Sequence, residues 1–199
     1  MTSFRALVVL DFEATCDDRD PPVPQEVIEM PSVLLEGTTL APVAEFESFV
    51  RPVHHPRLTE FCTQLTGITQ AEVDGAPPFP EVFAAHQRWL EAQGLDLAGT
   101  DWAFVTCGDW DLKTLLPGQL AAAEITDEPA CYRRWVNAKH PFRKWAPKLR
   151  RAGMVRMLEA LDLELEGRHH RGIDDSRNIA KIVRALAERG QPIERTGSR

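Results

Sequence analysis

The chain has 199 residues, of which 43% are hydrophobic and 27% are charged. These values are typical of one globular domain and exclude a disordered chain, a collagen-like chain and a coiled coil. The net charge of −7 argues against a non-specific nucleic-acid binder, and no apolar run approaches the roughly 18 residues needed to span a bilayer. We therefore expect one domain over residues 1–190, followed by a flexible tail at 191–199.

The first predicted elements are three strands. Leu7 to Leu10 is continuously apolar and ends at Asp11, which is typical of a strand buried on both faces and not of a cleavable signal peptide. Val27 to Leu35 predicts a second strand, although Pro31 favours an edge or a bulge there. Glu45 to Val50 alternates polar and apolar residues, as a half-buried antiparallel strand does. Three strands before any clear helix predict a meander.

Helices and one further strand follow. Residues 56–69 are interpreted as a loop that contains at most a helical turn. The later predicted elements are a helix at Pro80–Gln93, a strand at Trp102–Cys107, a helix at Leu112–Ala123 bent by Pro117, a short helix at Val155–Leu161 and a helix at Asp174–Arg189. This order indicates a mixed α/β sheet flanked by helices.

The cysteines indicate the compartment. Cys16, Cys62, Cys107 and Cys131 lie 24 or more residues apart, with no C-x-x-C pair. Neither a zinc site nor a disulfide framework is therefore predicted, and a reducing cytoplasm is the expected location.

Acidic residues follow two of the predicted strands. Asp11 and Glu13 come directly after the first strand, and residues two apart in an extended chain point to the same face. Asp109 and Asp111 follow the strand that ends at Cys107. Carboxylates brought together would repel one another unless a hard cation such as Mg²⁺ or Mn²⁺ lay between them. The alternative for each acid is an ordinary solvated turn or helix cap.

The last helix opens with a third group. His170 and Asp175 form H-x-x-x-x-D, directly after a second histidine, His169. Asp174 and Asp175 are also plausible first-turn residues, because the helix dipole favours acids there. Taken together, four carboxylates and one histidine are the groups that two-metal phosphodiester hydrolysis requires.

One basic segment stands out in an acidic chain. Arg133 to Arg156 holds nine Lys or Arg residues and no acid, which leaves 14 basic and 30 acidic residues elsewhere. With Trp135, Phe142 and Trp145 interleaved, the segment predicts a track for a single-stranded backbone, although a solvated face with inward aromatics is the alternative. Trp110, beside Asp111, is expected either to stack on a nucleic-acid base or to pack in the core. The predicted nucleic-acid contacts are Trp110, Arg133, Arg134, Lys139, Arg143, Lys144, Lys148, Arg150 and Arg151.

Longer motifs identify a family. LVVLDFEATC, QEVIEMPSVLL, FCTQLTGIT, GDWDL, RRWVNAK and GRHHRGIDDSRNIAKI occur in this order between Ala6 and Leu186. Together they resemble the DEDDh superfamily of 3′→5′ exonucleases. Within it they are similar to the branch of the histone-mRNA 3′-exonuclease, the enhanced-RNAi exonucleases and bacterial sporulation-inhibitor-like relatives. The resemblance implies an RNase H-like fold with a mixed five-stranded sheet, an antiparallel meander plus parallel strands, flanked by helices.

The resemblance also implies residue roles. Asp11, Glu13 and Asp175 would hold one Mg²⁺ or Mn²⁺, Asp11 and Asp111 would contact a second, and His170 would be the general base. Asp109 and Asp174 would be supporting or capping residues. The implied substrate is a single-stranded 3′ end, RNA more than DNA, from which 5′-mononucleotides are released. No membrane partner is expected, and the sequence does not identify a protein partner. The length leaves no room for the added nucleic-acid-binding domain of animal members, so their particular substrates are not expected to carry over.

Two alternatives belong to other classes. D-F-E-A-T resembles the nucleophile motif of haloacid-dehalogenase-type phosphatases, but Glu13 and His170 stand where those enzymes need Asp and Lys. The other alternative is a non-catalytic module that uses the same fold to bind RNA or a protein. Loss of a metal ligand would indicate such a module, and none is lost here.

Overall fold

The structure is a computed structural model that describes residues 2–199, so Met1, which the predicted domain includes, lies outside the described residues. Its strands are β1 (Ala6–Val9), β2 (Glu13–Ala14), β3 (Val27–Glu36), β4 (Pro42–Phe49), β5 (Trp102–Thr106), β6 (Arg134–Asn137) and β7 (Gly197–Ser198). Its α-helices are α1 (Glu60–Thr66), α2 (Gln70–Asp74), α3 (Phe79–Ala92), α4 (Leu116–Ala122), α5 (Lys139–Trp145), α6 (Met154–Ala160) and α7 (Gly172–Glu188). A π-helical turn at Asp111–Leu115 leads into α4.

All seven strands found in residues 2–199 belong to one mixed sheet. β3 pairs antiparallel with β1, β2 and β4, whereas β5 pairs parallel with β1 on one side and with β6 on the other. The predicted antiparallel meander and parallel strands are therefore confirmed. Five longer strands form the sheet that was expected, and the short strands β2 and β7 add two residues each.

Pro31 lies inside the sheet, and the register shifts in the pairing of β3 lie at Ala14 and Leu35, so the prediction of an edge or a bulge at Pro31 is wrong. β3 has β4 along one side and both β1 and β2 along the other. β1 pairs with β3 as far as Val33, and β2 resumes the pairing at Glu29. Pro31 falls in the gap between them, where no strand on that side requires its missing N–H.

The helices cover both faces of the sheet. α7 buries Ile179, Ile182, Val183 and Leu186 in a core shared with β1, β3, α5 and α6. On the other face, α3 and α4 pack Phe83, Leu90 and Leu116 against β1 and β5. With both faces covered, β1 and β5 are buried along their whole length, as continuous apolar runs predict.

The sequence did not predict several elements. β6 and α5 lie within the basic segment, and α1 and α2 lie in or beside the predicted loop. Residues 191–199, which the sequence predicts as a flexible tail, contact the rest of the fold in the structure. Ile193 is buried and β7 pairs with β6. Gly197 lies against the indole of Trp135, so closely that a Cβ there would clash with the ring. Among residues 2–199, no helix is long and apolar enough to cross a membrane.

Candidate active site

Two parallel strands bring the first carboxylates to one edge of the sheet. β1 and β5 run side by side with Val9 opposite Val105, so both end at the same edge. Asp11 follows β1, and Asp111 follows β5 at the start of the π-helical turn. The backbone N–H of Phe12 donates a 3.0 Å hydrogen bond to Oδ1 of Asp111. This bond joins the two strand ends directly.

Helix α7 brings the last carboxylate to the same edge. Glu13 lies on β2, opposite Glu29 of β3. Asp175 lies in the first turn of α7, which packs on β3 and β1. Carboxylate oxygens of Asp11, Glu13 and Asp175 all lie within 4.8 Å of one another. The structure therefore brings together acids that are far apart in the sequence.

Burial and mutual repulsion disfavour the charged forms of these acids. Burial, followed by repulsion from Asp11, raises the pKa of Glu13 to about 10. Burial raises the pKa of Asp175 to about 7 and that of Asp111 to about 6. Burial, with repulsion from Asp111, raises the pKa of Asp11 well above its usual range. A bound divalent cation would favour the charged forms and reverse these shifts.

The donor set fits such a cation. Oδ2 of Asp175 accepts the backbone N–H of His170 at 2.9 Å. Oδ1 of the same carboxylate is buried and has no hydrogen-bond partner in the described chain. Buried polar atoms are rarely left without a partner, because the lost hydration costs free energy. An all-oxygen set with one unsatisfied oxygen suits Mg²⁺ or Mn²⁺.

Two histidines lie beside Asp175. The ring centroids of His169 and His170 are 3.8 Å apart, and Nε2 of His169 lies 3.9 Å from Oδ2 of Asp175. Burial lowers the pKa of both imidazoles, so the neutral forms dominate near pH 7. Both rings are close to the acids, so the sequence spacing, and not the distance, distinguishes His170 from His169.

Asp109 and Asp174 support neighbouring loops. Asp109 accepts hydrogen bonds from the indole of Trp135 at 2.9 Å and the side-chain amide of Asn137 at 3.0 Å. Asp174 accepts the backbone N–H of Arg168 at 2.9 Å. Each carboxylate lies within two residues of a predicted metal ligand, and its hydrogen bonds anchor that part of the chain.

Trp110 and Lys139 lie near the acids. Trp110, adjacent to Asp111, is 41% exposed, so it is not a core tryptophan and its ring is available to a ligand. The charge of Lys139 opposes the rise in the pKa of Asp11 and of Asp111. Lys139 therefore acts electrostatically on the acid cluster.

The rest of the basic segment forms a charged surface with its aromatic residues turned inward. Exposed positions are Arg133, Arg143, Lys144, Lys148, Arg150 and Arg151, whereas Arg134 is half-buried. Arg133 pairs with Glu128 at 3.0 Å. Trp135 and Phe142 are each 1% exposed. Both rings belong to the core, as in the alternative that turns these aromatic residues inward.

Sequence reasoning missed Glu29 and Arg171. Glu29 is fully buried on β3, and its carboxylate accepts the backbone N–H groups of Gly172 and Ile173 at 3.0 and 3.1 Å. A glutamate in the otherwise apolar run VIEMPSVLL is the signal that could have identified it. Arg171 pairs with Glu29 at 3.3 Å, and nothing in its local sequence predicts that contact.

Comparison with known proteins gives one family. The sequence profile described as "Exonuclease" matches residues 8–183. Human "ERI1 exoribonuclease 3" is 43% identical over 190 residues, which cover 94% of this chain and 55% of that protein. Human "3'-5' exoribonuclease 1" is 35% identical over 188 residues, which cover 92% of this chain and 53% of that protein. The chain thus spans about half the length of these curated relatives.

Solved structures agree in fold. The nuclease domain of 3'hExo, described as a DEDDh family member bound to rAMP, superposes with a TM-score of 0.91 at 32% identity and covers 98% of both chains. A structure titled "3'-end specific recognition of histone mRNA stem-loop by 3'-exonuclease" has a TM-score of 0.93 at 32% identity, covering 100% of this chain and 68% of that one. The RNase H-like sheet is therefore confirmed.

Proposed function

Because this chain belongs to the DEDDh branch of the exonuclease family, we propose that it removes nucleotides from the 3′ end of single-stranded nucleic acid. The reaction is hydrolysis of the terminal phosphodiester bond, and the products are 5′-mononucleotides. The observation that carries the proposal is the meeting of Asp11, Glu13 and Asp175 within 4.8 Å, with a neutral histidine pair beside them.

The metal ligands are proposed from that cluster and from the family resemblance. Asp11, Glu13 and Asp175 would hold one ion, and Asp11 with Asp111 would contact a second. DEDDh exonucleases depend on divalent metals, and the oxygen donors here favour Mg²⁺ or Mn²⁺. When bound, the ions would lower the pKa of a water molecule and balance charge on the attacking and leaving oxygens.

The remaining roles are those of side chains near the cluster. His170 accepts the proton of the attacking water at an imidazole nitrogen, which requires the neutral form that burial favours. Trp110 offers an exposed ring on which the terminal base can stack. Exposed cations such as Arg150 and Arg151 bind the backbone phosphates. These roles use residues that the fold brings to one edge of the sheet or leaves exposed.

RNA is the proposed substrate class. The names of the relatives describe exoribonucleases, and one solved neighbour is described as recognising a histone mRNA stem-loop. Recognition of the 2′-hydroxyl is what distinguishes RNA from DNA at such a site. The four cysteines are free, which supports a reducing compartment, and we keep the cytoplasm as the proposed location.

The alternatives differ in how they stand against these findings. The phosphatase alternative is wrong, because residues 8–183 match the exonuclease profile. The non-catalytic module remains an outcome of the test below. The grouping of three of the four predicted carboxylate ligands favours catalysis over binding alone.

A 5′-labelled single-stranded oligonucleotide tests the proposal. With Mg²⁺, we expect stepwise shortening of RNA from a free 3′ end, slower shortening of the same DNA sequence, and protection by a blocked 3′ end. The matched control is Asp11→Asn. Internal cleavage would contradict the exonuclease proposal, and binding without hydrolysis would indicate the non-catalytic module.

A further inference from the structure

Arg171 directly follows the histidine pair, and several elements hold its side chain. Its guanidinium lies 2.9 Å from Glu47 of β4, 3.3 Å from Glu29 of β3 and 3.8 Å from Glu72 of α2. It also lies over the ring of Phe49, 4.4 Å from the centroid. Because 21% of the side chain is exposed, these contacts surround most of the guanidinium.

Glu29 links this arginine to the metal-binding edge of the sheet. Glu29 lies across from Glu13 in the sheet, and its carboxylate accepts the first backbone N–H groups of α7, from Gly172 and Ile173. The first N–H groups of a helix have no partner within the helix, so this carboxylate satisfies two of them. One buried side chain therefore contacts Arg171 and the start of α7 from the position opposite Glu13.

The residue before Arg171 has an unfavourable backbone conformation. His170 has a φ of +67°, in the left-handed region that residues other than glycine rarely adopt. Such a conformation persists where the surrounding structure determines it. On one side, the backbone N–H of His170 donates to Asp175. On the other side, the next residue is Arg171, which is fixed to β3 and β4.

We propose that Arg171 is a positioning residue that fixes the histidine pair relative to Asp175 and Glu13. It acts through the backbone of the loop and through Glu29, without contact to the reacting atoms. The planar guanidinium contacts Glu29 and Glu47 at once, which a lysine ammonium cannot reproduce with the same geometry. The kinetic part of this inference rests on the proposed function, whereas the structural part does not.

The chain offers a matched control six residues further along, within α7. Arg177 binds Glu45 of β4 at 2.6 and 3.0 Å and Asp174 at 3.1 Å. It therefore also ties α7 to β4 by ion pairs, but it is not adjacent to the histidines. Arg171→Met and Arg177→Met remove comparable pairs, but only Arg171 adjoins His170 in the chain.

Two measurements on these variants test the inference. For Arg171→Met we expect kcat to fall roughly 10- to 100-fold, because catalytic groups are misplaced, while KM stays within about threefold. Hydrogen exchange of the His170 amide, measured by NMR, should accelerate about tenfold or more. Arg171→Lys should recover part of both effects. Arg177→Met should leave kcat and the His170 exchange rate within about threefold of the unmodified protein.

The inference is overturned if Arg171→Met and Arg177→Met lower kcat equally, or if His170 exchange is unchanged in Arg171→Met. Should Arg171→Met fail to fold, Arg171→Lys and Glu47→Gln provide the same comparison. If the unmodified protein hydrolyses no oligonucleotide, the proposed function fails, and the exchange rates alone decide the role of Arg171.

Discussion

The backbone N–H of Phe12 donates a 3.0 Å hydrogen bond to the Asp111 carboxylate across 99 positions of sequence. Phe12 lies between Asp11 and Glu13, so the bond fixes the segment that bears the first two acids against the one that bears the third. This leaves the Asp111 carboxylate anchored through Oδ1. A change at Asp111 should therefore loosen the contact between the two strand ends as well as alter metal binding.

Asp11→Asn should be the most damaging ligand change, since Asp11 would serve both ions. We expect hydrolysis to slow by roughly 10³-fold. In EDTA its thermal stability should be equal to or higher than that of the unmodified protein, because the change removes charge repulsion from a buried cluster. Mg²⁺ should raise the melting temperature of the unmodified protein only. The exposed control Asp127→Asn should keep full activity. Robust activity in EDTA, or in Asp11→Asn, would contradict the metal assignment.

The two histidines should differ in rate. His170→Ala should slow single-turnover cleavage by roughly 10²- to 10⁴-fold, the usual contribution of a positioned general base. His169→Ala should slow it much less. Calorimetry should show that His170→Ala still binds Mg²⁺, because the carboxylates remain. A dead His169→Ala with an active His170→Ala would reverse the assignment.

The same histidine predicts a pH dependence. A base must be neutral to accept a proton, and burial lowers the pKa of His170 below its usual 6.5. Cleavage should therefore stay high down to that lowered pKa and fall as the pH drops through it. Single-turnover rates of the unmodified protein across pH 5 to 8, at constant ionic strength, measure this. A rate that rises as the pH falls would exclude a histidine base.

Arg150→Glu with Arg151→Glu should weaken binding of long strands. Both side chains are exposed, and removing one phosphate-binding cation should reduce the slope of log K against log salt by about 0.7 for a single strand. KM should rise for a long oligonucleotide and stay unchanged for the nitrophenyl ester of thymidine monophosphate. Arg88→Glu, an exposed arginine on α3, is the control. Equal damage to long and small substrates would indicate a structural role for the segment.

Trp110→Ala should raise KM for oligonucleotides. Stacking of a base on an aromatic ring contributes about 1–3 kcal/mol, which corresponds to a rise of roughly 5- to 150-fold. The ring is 41% exposed, so the free energy of unfolding should change little. Trp110→Phe should retain most of the affinity because it keeps an aromatic face. An unchanged KM in Trp110→Ala would contradict stacking.

His86 should make the fold sensitive to acid. The imidazole is buried between the hydroxyls of Ser32 at 2.9 Å and Tyr132 at 2.8 Å, and burial lowers its pKa from 6.5 to about 3. Below pH 6.5 this imidazole is protonated in the unfolded chain but stays neutral in the folded protein. The free energy of unfolding therefore decreases as the pH falls from 6.5 towards 3. The loss reaches about 2 kcal/mol by pH 5.

Urea unfolding of the unmodified protein and of His86→Gln measures that loss. The difference between their free energies of unfolding should shrink by about 2 kcal/mol from pH 7 to pH 5. The comparison with His86→Gln is needed because acids such as Glu13 have raised pKa values and shift the free energy of unfolding in the opposite direction, stabilising the fold as the pH falls. A difference that is constant with pH would contradict the buried neutral histidine.

Local pattern was sufficient for elements whose burial repeats along the chain. β1, β5, α3 and α7 carry continuous or periodic apolar residues, and their predicted positions agree with the structure to within three residues. β6 was missed because it is four residues long and begins in a run of arginines. Gly197 lies against the indole of Trp135, and no local pattern encodes a contact between residues 62 positions apart.

The sequence by itself determined the two apolar strands, the amphipathic last helix, the order of the acidic motifs and the family. The strands and the helix follow from local spacing, because spacing along one element fixes which side chains share a face. The family follows from the order of the motifs along the chain. The tertiary structure brings Asp11, Glu13 and Asp175 together, as the family resemblance implies. It alone decided that Trp135 and Phe142 turn inward and that Glu29 caps α7 from 143 positions away. These contacts depend on how the sheet and helices pack. Packing brings together residues that are far apart along the chain, and no local pattern predicts such a contact.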